Sequence, residues 1–543
     1  MRFKREYLIL ISILLFGLFV RLLRFGDVAV GMDVVAFSRL GKNLIESGKY
    51  VFGENYNMGV FFPPGYAASI GAINLFINDL FFSARLVSLI SSIITIFLFY
   101  LTGRELYNEE AGLFAAFAYA AYPLTIILSV YGNSDSLFFC LLFLSIYLFI
   151  ISVKRDGFPI YILLGITTGA AYLTRPEGVF LLLLPFLRMI GLLGGKPLVR
   201  RKYLLNIFAM LLIFILTISP YVLFLKDYTG KFALSGKGNI AVLLAQLSGD
   251  KEYHEVVNAP ENLYDKSAFS LNKGKTQLRG WDRNVQLSLF KDYILKDPAK
   301  FIRDYLKKVQ EEIKILIKLL MPIMLPLFFS VFSRDLFRKE IKLIFILYPL
   351  LFFLMYPVFI IIERQITLIA VFLILFASGG FVNSGTTISE VLDYYGIRKK
   401  RVSLFLERNI KLLIIIILLS GSFSYLEYSS FSKVPGPVEH ITAGYFLKNS
   451  VSSEYEKLNV MSRKPVVSFF SNARFTMLPY ANSADVINFA ELYDVDYIVI
   501  DERLLSKWDF YDELIQMDKY SGDVGLVYED DSGKLIRLFK VRK

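Results

Sequence analysis

Residues that form disulfides or bind transition metals are scarce in this sequence, which has one cysteine and two histidines among 543 residues. The single cysteine, Cys140, lies inside an apolar run, so a disulfide framework and a cysteine-based metal site are both excluded. His254 and His440 are far apart along the chain, so no histidine ligand cluster is present. No repeat of fixed period and no low-complexity tract stands out either.

Hydrophobic residues, by contrast, make up 55% of the chain, and the mean hydropathy is +0.52. A water-soluble core of this size does not need so much apolar surface, so we expect most of it to face lipid. The 60 Lys and Arg exceed the 48 Asp and Glu by 12, which in a membrane protein reflects charge retained on cytoplasmic loops. No basic-aromatic motif supports nucleic-acid binding, and we expect none.

Eleven apolar runs, each of about 16–22 residues, are long enough to cross a bilayer. They cover residues 8–25, 86–102, 112–131, 134–152, 158–174, 178–193, 203–225, 315–332, 342–362, 366–382 and 410–426. Arg21 and Arg24 follow the first apolar stretch where a signal peptide would have a small-residue cleavage site, so we interpret this stretch as a retained span. The sequence therefore predicts an α-helical polytopic membrane protein with about eleven transmembrane helices.

The orientation follows from four basic clusters that fall between alternate spans. They are Lys154-Arg155, Lys196 with Arg200-Arg201-Lys202, Arg334 with Arg338-Lys339, and Arg398-Lys399-Lys400-Arg401. The positive-inside rule places all four in the cytoplasm together with the N-terminus. With an odd number of spans, this multi-pass protein of the cell membrane has its C-terminal tail outside.

Two domains are predicted. Residues 1–429 form a transmembrane domain, with a first external loop at 26–85 and a large external loop at 226–314. Residues 430–543 form a small external α/β domain, because the Pro435-Gly436-Pro437 break precedes mixed polar sequence and Val495 to Ile500 has the pattern of a buried strand.

The first external loop contains an amphipathic segment at residues 34–47. The segment places apolar residues on one helical stripe and polar residues on the other side, and Gly48 is a suitable stop. The apolar residues are Val34, Phe37, Leu40, Leu44 and Ile45. This pattern predicts a helix that lies on the membrane surface.

Ionisable residues on four short outer turns are the candidate functional residues, because charges at the membrane boundary are costly unless they are paired or used. The turns contain Asp33, Asp135, Arg175-Pro176-Glu177 and Glu363-Arg364. Each residue also has a structural interpretation. Asp33 and Asp135 can cap helices, Arg175 can reach the lipid headgroups, Glu177 can complement a helix dipole, and Arg364 can pair with Glu363 or with a lipid phosphate.

Several short motifs in this region resemble one family when their order and spacing are considered together. They are Gly31-Met32-Asp33, Phe62-Pro63-Pro64-Gly65-Tyr66, Ser83-Ala84-Arg85-Leu86, Glu110-Ala111-Gly112-Leu113-Phe114-Ala115-Ala116, Tyr122-Pro123, Ser134-Asp135 and Leu173-Thr174-Arg175. Residues 8–225 thereby resemble the GT-C glycosyltransferases of the dolichyl-phosphate-mannose protein mannosyltransferase and aminoarabinose-transferase type (glycosyltransferase family 39 type), with a looser match from Asn472 to Asp501. The Trp-Trp-Asp signature of the related oligosaccharyltransferases is absent, since the only tryptophans are Trp281 and Trp508.

The resemblance implies a GT-C fold and transfer of a sugar, from a polyprenyl-phosphate lipid donor, to a protein, lipid or glycan acceptor. It implies that Asp33 is the general base and Asp135 a second acid of the site; Val34 stands where the family often has a further acid. The departing phosphate gathers negative charge, so arginines are expected to bind it. Arg175 and Arg364 are the first candidates for substrate binding, Glu177 lies beside them, and the second choices are Arg21, Arg24, Arg85 and Lys226.

No cofactor is required by this chemistry, but Asp33 and Asp135 together can hold a divalent cation. Asp494-Val495-Asp496 imitates a metal-binding motif but leads into a strand, so we expect no site there. A transporter or flippase of lipid-linked sugar is the main alternative function, and a non-catalytic scaffold for envelope assembly is a weaker one. The absence of an inverted repeat and the gathering of charges on one face argue against a transporter.

Overall fold

The computed structural model describes residues 5–25, 31–52, 58–155, 157–193, 200–230, 232–234, 236, 265–266, 269–272, 295, 297–332, 340–359, 361–394, 400–428, 437–450 and 458–542. Some of the sequence features above lie outside these residues, namely His254, Trp281, Lys196, Arg334, Arg338-Lys339, Arg398-Lys399 and most of the loop at 226–314.

Helices make up most of the first 428 residues. The first ten are α1 (Arg5–Leu23), α2 (Met32–Ser47), α3 (Pro64–Ile77), α4 (Leu80–Leu106), α5 (Glu109–Ala121), α6 (Pro123–Val130), α7 (Asp135–Lys154), α8 (Phe158–Thr174), α9 (Leu183–Met189) and α10 (Arg201–Thr229). The next five are α11 (Pro298–Leu320), α12 (Met324–Phe332), α13 (Ile344–Met355), α14 (Glu363–Tyr394) and α15 (Lys400–Tyr428). The polytopic helical fold predicted from the sequence is confirmed.

Eight stretches of helix in the described part of the chain are long and apolar enough to cross a membrane, and the bent pair α5–α6 makes a ninth. These nine coincide with nine of the eleven predicted spans. The predicted span at 158–174 coincides with α8, a shorter apolar helix of 17 residues.

The predicted span at 178–193 is not one continuous α-helix. The chain forms a 3-10 helix over Pro176–Leu182 and then the seven-residue α9. Pro185 has no N–H to donate to the carbonyl of residue 181, so an α-helix running through it would lose a hydrogen bond. Because α9 begins at Leu183, Pro185 falls in a first turn, where no donor is needed.

The amphipathic helix predicted in the first loop is α2, and Gly48 ends it with a φ of 68°. The first part of its apolar stripe is buried against protein, however: Val34, Phe37 and Leu40 are at most 3% exposed, whereas Ile45 is 38% exposed. The helix packs closely on α3, because a Cβ at Gly41 would lie 2.1 Å from the Ala67 carbonyl oxygen. The expected contact with the membrane surface is therefore wrong for these three residues, since α3 and α4 cover them.

A small mixed sheet follows the last long helix. Its strands are β1 (Asn459–Ser462), β2 (Arg474–Met477), β3 (Tyr497–Asp501), β4 (Val524–Asp530) and β5 (Ile536–Val541), in the order β2-β1-β3-β5-β4. The central strand β3 is parallel to β1 and antiparallel to β5, and all of its residues are buried, as its apolar sequence predicts. The helices of this domain are α16 (Val438–Ser450), α17 (Val466–Phe470), α18 (Ser483–Leu492) and three short ones at Glu502–Leu505, Tyr511–Leu514 and Met517–Tyr520.

A buried ionic cluster joins α16 to this sheet. His440 is 2% exposed; its Nδ1 lies 3.5 Å from Glu439 and its Nε2 lies 3.5 Å from Asp501. Burial alone would lower the pKa of His440, but the two carboxylates raise it to about 9. Burial would likewise raise the pKa of Glu439, but hydrogen bonds from His440 and Arg503 lower it to about 2.

Two polar contacts dock the sheet domain onto the helices and loops before it. Arg39 on α2 donates from Nη2 to the carbonyl oxygen of Ser468 at 3.1 Å and also to that of Ala473. Asp265 accepts hydrogen bonds from Arg463 Nε at 2.9 Å and from Trp508 Nε1 at 3.1 Å. The sheet domain is thereby tied to the helix that carries Asp33.

Candidate active site

Asp33 lies in the first turn of α2, but it does not cap the helix. The N-cap residue is Gly31, and no side chain makes a capping hydrogen bond there. The Asp33 Oδ2 instead accepts a hydrogen bond from Arg364 Nη1 at 3.0 Å. The capping interpretation of Asp33 is therefore wrong.

Asp135 opens α7 and is almost fully buried, with 1% of its side chain exposed. Ser134 is the N-cap residue, again without a side-chain capping bond, so the capping interpretation of Asp135 is also wrong. The Asp135 Oδ1 accepts a hydrogen bond from Arg175 Nη1. The preceding turn approaches α2 closely, because Gly132 has a φ of 73° and a Cβ there would lie 2.9 Å from Val34.

Arg175 directly follows α8 and is extended, with φ −148° and ψ 135°, a conformation that the following Pro176 favours. Its Nη2 donates to Glu177 Oε1 at 2.8 Å, while Nη1 reaches Asp135. Only 9% of the Arg175 side chain is exposed, so this residue does not extend to the lipid headgroups.

Arg364 is the second residue of α14 and lies between the two aspartates. Its Nη1 contacts Asp33, and its Nε lies 3.6 Å from Asp135 Oδ2. The neighbouring Glu363 points elsewhere, towards Lys318 at 3.3 Å and the Tyr425 hydroxyl, so the suggested Glu363–Arg364 pair is not formed.

The five side chains form one continuous array, here called the ion-pair chain: Asp33, Arg364, Asp135, Arg175 and Glu177. It joins four turns that are up to 331 residues apart in sequence. Three carboxylates and two guanidinium groups leave one formal negative charge in excess. Pairing lowers the cost of burying these charges, although a buried ion pair is weak evidence of stabilisation.

The ion-pair chain retains unused hydrogen-bonding capacity. Arg364 Nε and Asp135 Oδ2 face each other across 3.6 Å, and neither atom has a hydrogen-bond partner within the described ranges. Each guanidinium has five N–H donors, so Arg364 and Arg175 can still receive oxygens of an anionic ligand. The arrangement therefore offers donors for a phosphate beside a carboxylate that can accept a proton.

Four other predicted cations lie outside the ion-pair chain. Arg85 Nε donates to the Val130 carbonyl at 3.0 Å, and its guanidinium lies 3.9 Å from the Phe25 ring centroid. Lys226 is exposed at the end of α10, over the Phe232 ring. Arg24 is half-buried just after α1.

Arg21, the fourth of these cations, is fully buried between helices. Its guanidinium donates to the carbonyl oxygens of Gly17 and Ala120 and to the hydroxyls of Ser92 and Thr125. The bonds to Ala120, Ser92 and Thr125 join α1 to its neighbours and account for the burial of Arg21 through helix packing.

Three polar side chains near the ion-pair chain were not singled out from the sequence. The Tyr131 hydroxyl interacts electrostatically with Asp33 and Arg364, and the Tyr356 hydroxyl interacts with Arg175, Glu177 and Asp135. Gln365 follows Arg364 on α14. Tyrosines and glutamines are common at membrane interfaces and in loops, so the sequence gives no signal that separates these three from others.

The structure also bears on the suggested metal sites. The Arg364 guanidinium occupies the space between Asp33 and Asp135, so a cation there would have to displace it. No group of three or more His, Cys, Asp or Glu suited to a metal occurs in the portion of the chain that is described. Asp496 at the Asp-x-Asp motif accepts a hydrogen bond from the Asn459 backbone N–H at 2.8 Å, a structural role within the sheet.

Comparison with known proteins identifies one matching family model and several similar folds. Residues 62–224 match the family model described as dolichyl-phosphate-mannose-protein mannosyltransferase. No curated protein sequence matches the chain. Three solved structures are similar over nearly the whole chain.

The first is the archaeal oligosaccharyltransferase AglB from Archaeoglobus fulgidus, in complex with an inhibitory peptide and a dolichol-phosphate (TM-score 0.61, 13% identity, covering 98% of this chain and 74% of that one). The second is ArnT from Cupriavidus metallidurans bound to undecaprenyl phosphate (TM-score 0.61, 12% identity, 98% and 97% covered). The third is the arabinofuranosyltransferase AftD from Mycobacteria (TM-score 0.52, 10% identity, 100% and 40% covered). The chain therefore shares the fold of these three proteins, and residues 62–224 match the mannosyltransferase family model.

Proposed function

We propose that this chain is a membrane glycosyltransferase that moves a hexose or pentose from a polyprenyl-phosphate donor to an acceptor hydroxyl on the outer face of the membrane. The acceptor is a hydroxyl of a protein, a lipid or a glycan. The observation that carries the proposal is the ion-pair chain, in which Arg364 pairs with the partly exposed carboxylate of Asp33 and also lies beside the buried Asp135, which Arg175 binds.

The reaction is a displacement at the anomeric carbon of the donor sugar. The acceptor oxygen forms a bond to this carbon while the bond from the carbon to the phosphate oxygen breaks, and the polyprenyl phosphate leaves with the bonding electrons. The acceptor proton passes to Asp33, the general base, which is the most exposed carboxylate of the ion-pair chain at 35%. Asp135 is buried between two arginines and holds them in place.

The leaving phosphate gains negative charge as the bond breaks, so guanidinium groups beside it stabilise the transition state. Arg364 Nε is available for a phosphate oxygen, since it lacks a hydrogen-bond partner among the described residues. Arg175 contributes the second cation, and Glu177 fixes its orientation by a 2.8 Å bond. Arg85 and Lys226, which lie outside the ion-pair chain, are further candidates for binding the anionic lipid.

A metal ion is not needed for this scheme, because the two arginines supply the positive charge that a cation would otherwise provide. A divalent cation between Asp33 and Asp135 would require Arg364 to move. We therefore propose a metal-independent reaction.

The location on the outer face rests on charge distribution. Lys154-Arg155 and Arg200-Arg201-Lys202 lie at the ends of helices opposite to the ion-pair chain, and basic clusters of this kind are retained in the cytoplasm. The N-terminus then lies in the cytoplasm, and the sheet domain lies outside with the site. The lipid ligands of the AglB and ArnT structures are consistent with a lipid-linked donor.

The test is a transfer assay with the purified full chain in liposomes that contain radiolabelled polyprenyl-phosphate monosaccharides and candidate acceptors. We expect covalent transfer of label and release of polyprenyl phosphate. Movement of intact lipid-linked sugar across the bilayer without covalent transfer would instead establish the transporter alternative and overturn the proposal. A reporter enzyme fused after Lys543 that is active only in the cytoplasm would overturn the orientation.

A further inference from the structure

Helix α11 has an unusual distribution of polar side chains, because its buried face is the polar one. Asp304, Lys308 and Glu312, spaced four residues apart, are 5%, 4% and 0% exposed. The opposite face exposes large aliphatic residues, namely Ile302, Leu306, Ile313 and Ile317. This pattern turns the aliphatic face away from the protein and turns Asp304, Lys308 and Glu312 towards its interior, while Arg303, Lys307 and Lys314 are exposed along a third side of the helix.

Two of the three buried charges have partners that account for them. Lys308 Nζ donates to the Phe359 carbonyl oxygen at 2.7 Å, which ties α11 to the turn before α14. Asp304 interacts electrostatically with Lys308, one helical turn away.

Glu312 has no such partner. It is fully buried, and neither of its carboxylate oxygens has a hydrogen-bond partner among the described residues. An unpaired buried carboxylate is costly, so its retention points to a ligand that donates hydrogen bonds to it.

The surroundings of Glu312 connect it to the ion-pair chain through Tyr356. The Tyr356 hydroxyl interacts electrostatically with Glu312 and with Arg175, Glu177 and Asp135, so it is close to both. The Tyr356 hydroxyl and the Gln365 Oε1 also lack hydrogen-bond partners in the described part of the chain. Buried polar atoms with unused hydrogen-bonding capacity thus lie close to the ion-pair chain.

We propose that Glu312 is a specificity-determining residue that binds the transferred sugar, accepting hydrogen bonds from its ring hydroxyls or from the ammonium group of an amino sugar. This inference rests on the proposed function. Asp33 then takes the proton of the acceptor hydroxyl that attacks the anomeric carbon, while Glu312 holds the polar substituents of the sugar ring. Tyr356 and Gln365 supply further hydrogen-bonding groups beside it.

The test compares the Glu312→Gln and Glu312→Leu variants with the wild type, using undecaprenyl phosphate alone and the same lipid carrying mannose, glucose, galactose or 4-amino-4-deoxyarabinose. Asp304→Asn is the matched control, because Asp304 lies two turns away on the same buried face of α11. The measurements are KM and kcat for each donor, binding of each lipid, and the Tm of each variant.

We expect Glu312→Leu to bind undecaprenyl phosphate like the wild type. Its Tm should equal or exceed that of the wild type, because an unpaired buried charge is removed. It should no longer bind sugar-bearing lipid more tightly than undecaprenyl phosphate alone. For Glu312→Gln, KM rises roughly 3- to 10-fold if Glu312 accepts from neutral hydroxyls, and roughly 100-fold if it pairs with an ammonium group. Asp304→Asn keeps the wild-type ranking of donors.

Unchanged KM values and an unchanged ranking of donors in both Glu312 variants, beside an active wild type, would overturn this inference alone. Glu312→Leu would also overturn this inference if its Tm fell and its affinity fell equally for sugar-bearing and sugar-free lipid. That result would show that Glu312 has a packing role. A wild type that consumes none of the donors would overturn the proposed function and, with it, this inference.

Discussion

Replacing Asp33 by Asn separates the proposed base from a purely structural acid. The substitution keeps the size of the side chain and an oxygen that can accept from Arg364, but the amide cannot take the acceptor's proton. Because Gly31 caps α2, no helix cap is lost.

The two possible effects differ strongly in size. The Asp33–Arg364 pair is partly exposed, at 35% and 20%, and pairs of this kind contribute about 0–1 kcal/mol. Loss of a general base typically lowers the rate by about 10²- to 10⁴-fold. We therefore expect kcat to fall by at least about 100-fold while the Tm changes little.

The assay is sugar transfer in detergent, together with Tm and binding of the lipid donor. Asp79→Asn is the matched control, because Asp79 is a true N-cap whose side chain accepts from the Phe82 backbone N–H at 2.9 Å. Asn caps helices about as well as Asp, so this variant should keep both its Tm and its rate.

An Asp33→Asn variant that transfers sugar at close to the wild-type rate would refute the assignment and move the search for the base to Asp135 or Glu177. A large fall in Tm would show that the Asp33–Arg364 pair contributes more than about 0–1 kcal/mol to stability. Only a loss of rate with preserved donor binding supports Asp33 as the base.

Three further predictions follow from the ion pairs. Arg175→Lys should retain part of the activity, whereas Arg175→Ala should lose nearly all of it and lower the Tm, because the buried Asp135 loses its hydrogen-bonded partner and keeps only the more distant Arg364, at a cost of up to about 3–5 kcal/mol; equal activity in both variants would remove Arg175 from phosphate binding. Chelation of divalent cations should leave the transfer rate unchanged, since Arg364 lies between the two aspartates, and a rate restored only by added Mg²⁺ or Mn²⁺ would contradict this. Because the pKa of His440 is raised from 6.5 to about 9, its stabilisation of the sheet domain should be complete below pH 6.5 and decline as the pH rises through 9; unfolding of the full chain in a Trp281→Phe background, followed by Trp508 fluorescence, should lose this dependence in His440→Gln.

Hydrophobicity was sufficient to predict most of the helical architecture, because a bilayer requires long apolar helices. The prediction from hydrophobicity failed at residues 178–193, where Pro185 limits the α-helix to α9. It also failed at α2, where apolar residues pack on protein instead of lipid. A single sequence does not distinguish lipid from a neighbouring helix as the partner of an apolar stripe.

The candidate site was predictable in part for a different reason. Charged residues on outer turns are rare enough to be noticed, which is how Asp33, Asp135, Arg175, Glu177 and Arg364 were identified, and the structure places them together. Their pairing order was not predictable, because it depends on how four distant turns meet. Glu312 was missed since the prediction treated residues 226–314 as loop, although α11 begins at Pro298.

The docking of Arg39 onto the sheet domain has a mechanical consequence for catalysis. Arg39 and Asp33 lie six residues apart on α2, which is about 9 Å along the helix axis. The backbone of α2 also packs closely against the backbone of α3. A displacement of the segment that carries Ser468 and Ala473 is therefore expected to move the Asp33 carboxylate as well. Because a misplacement of about 1 Å can cost about 100-fold in rate, a ligand or antibody that shifts the sheet domain should slow the proposed reaction without contacting Asp33 itself.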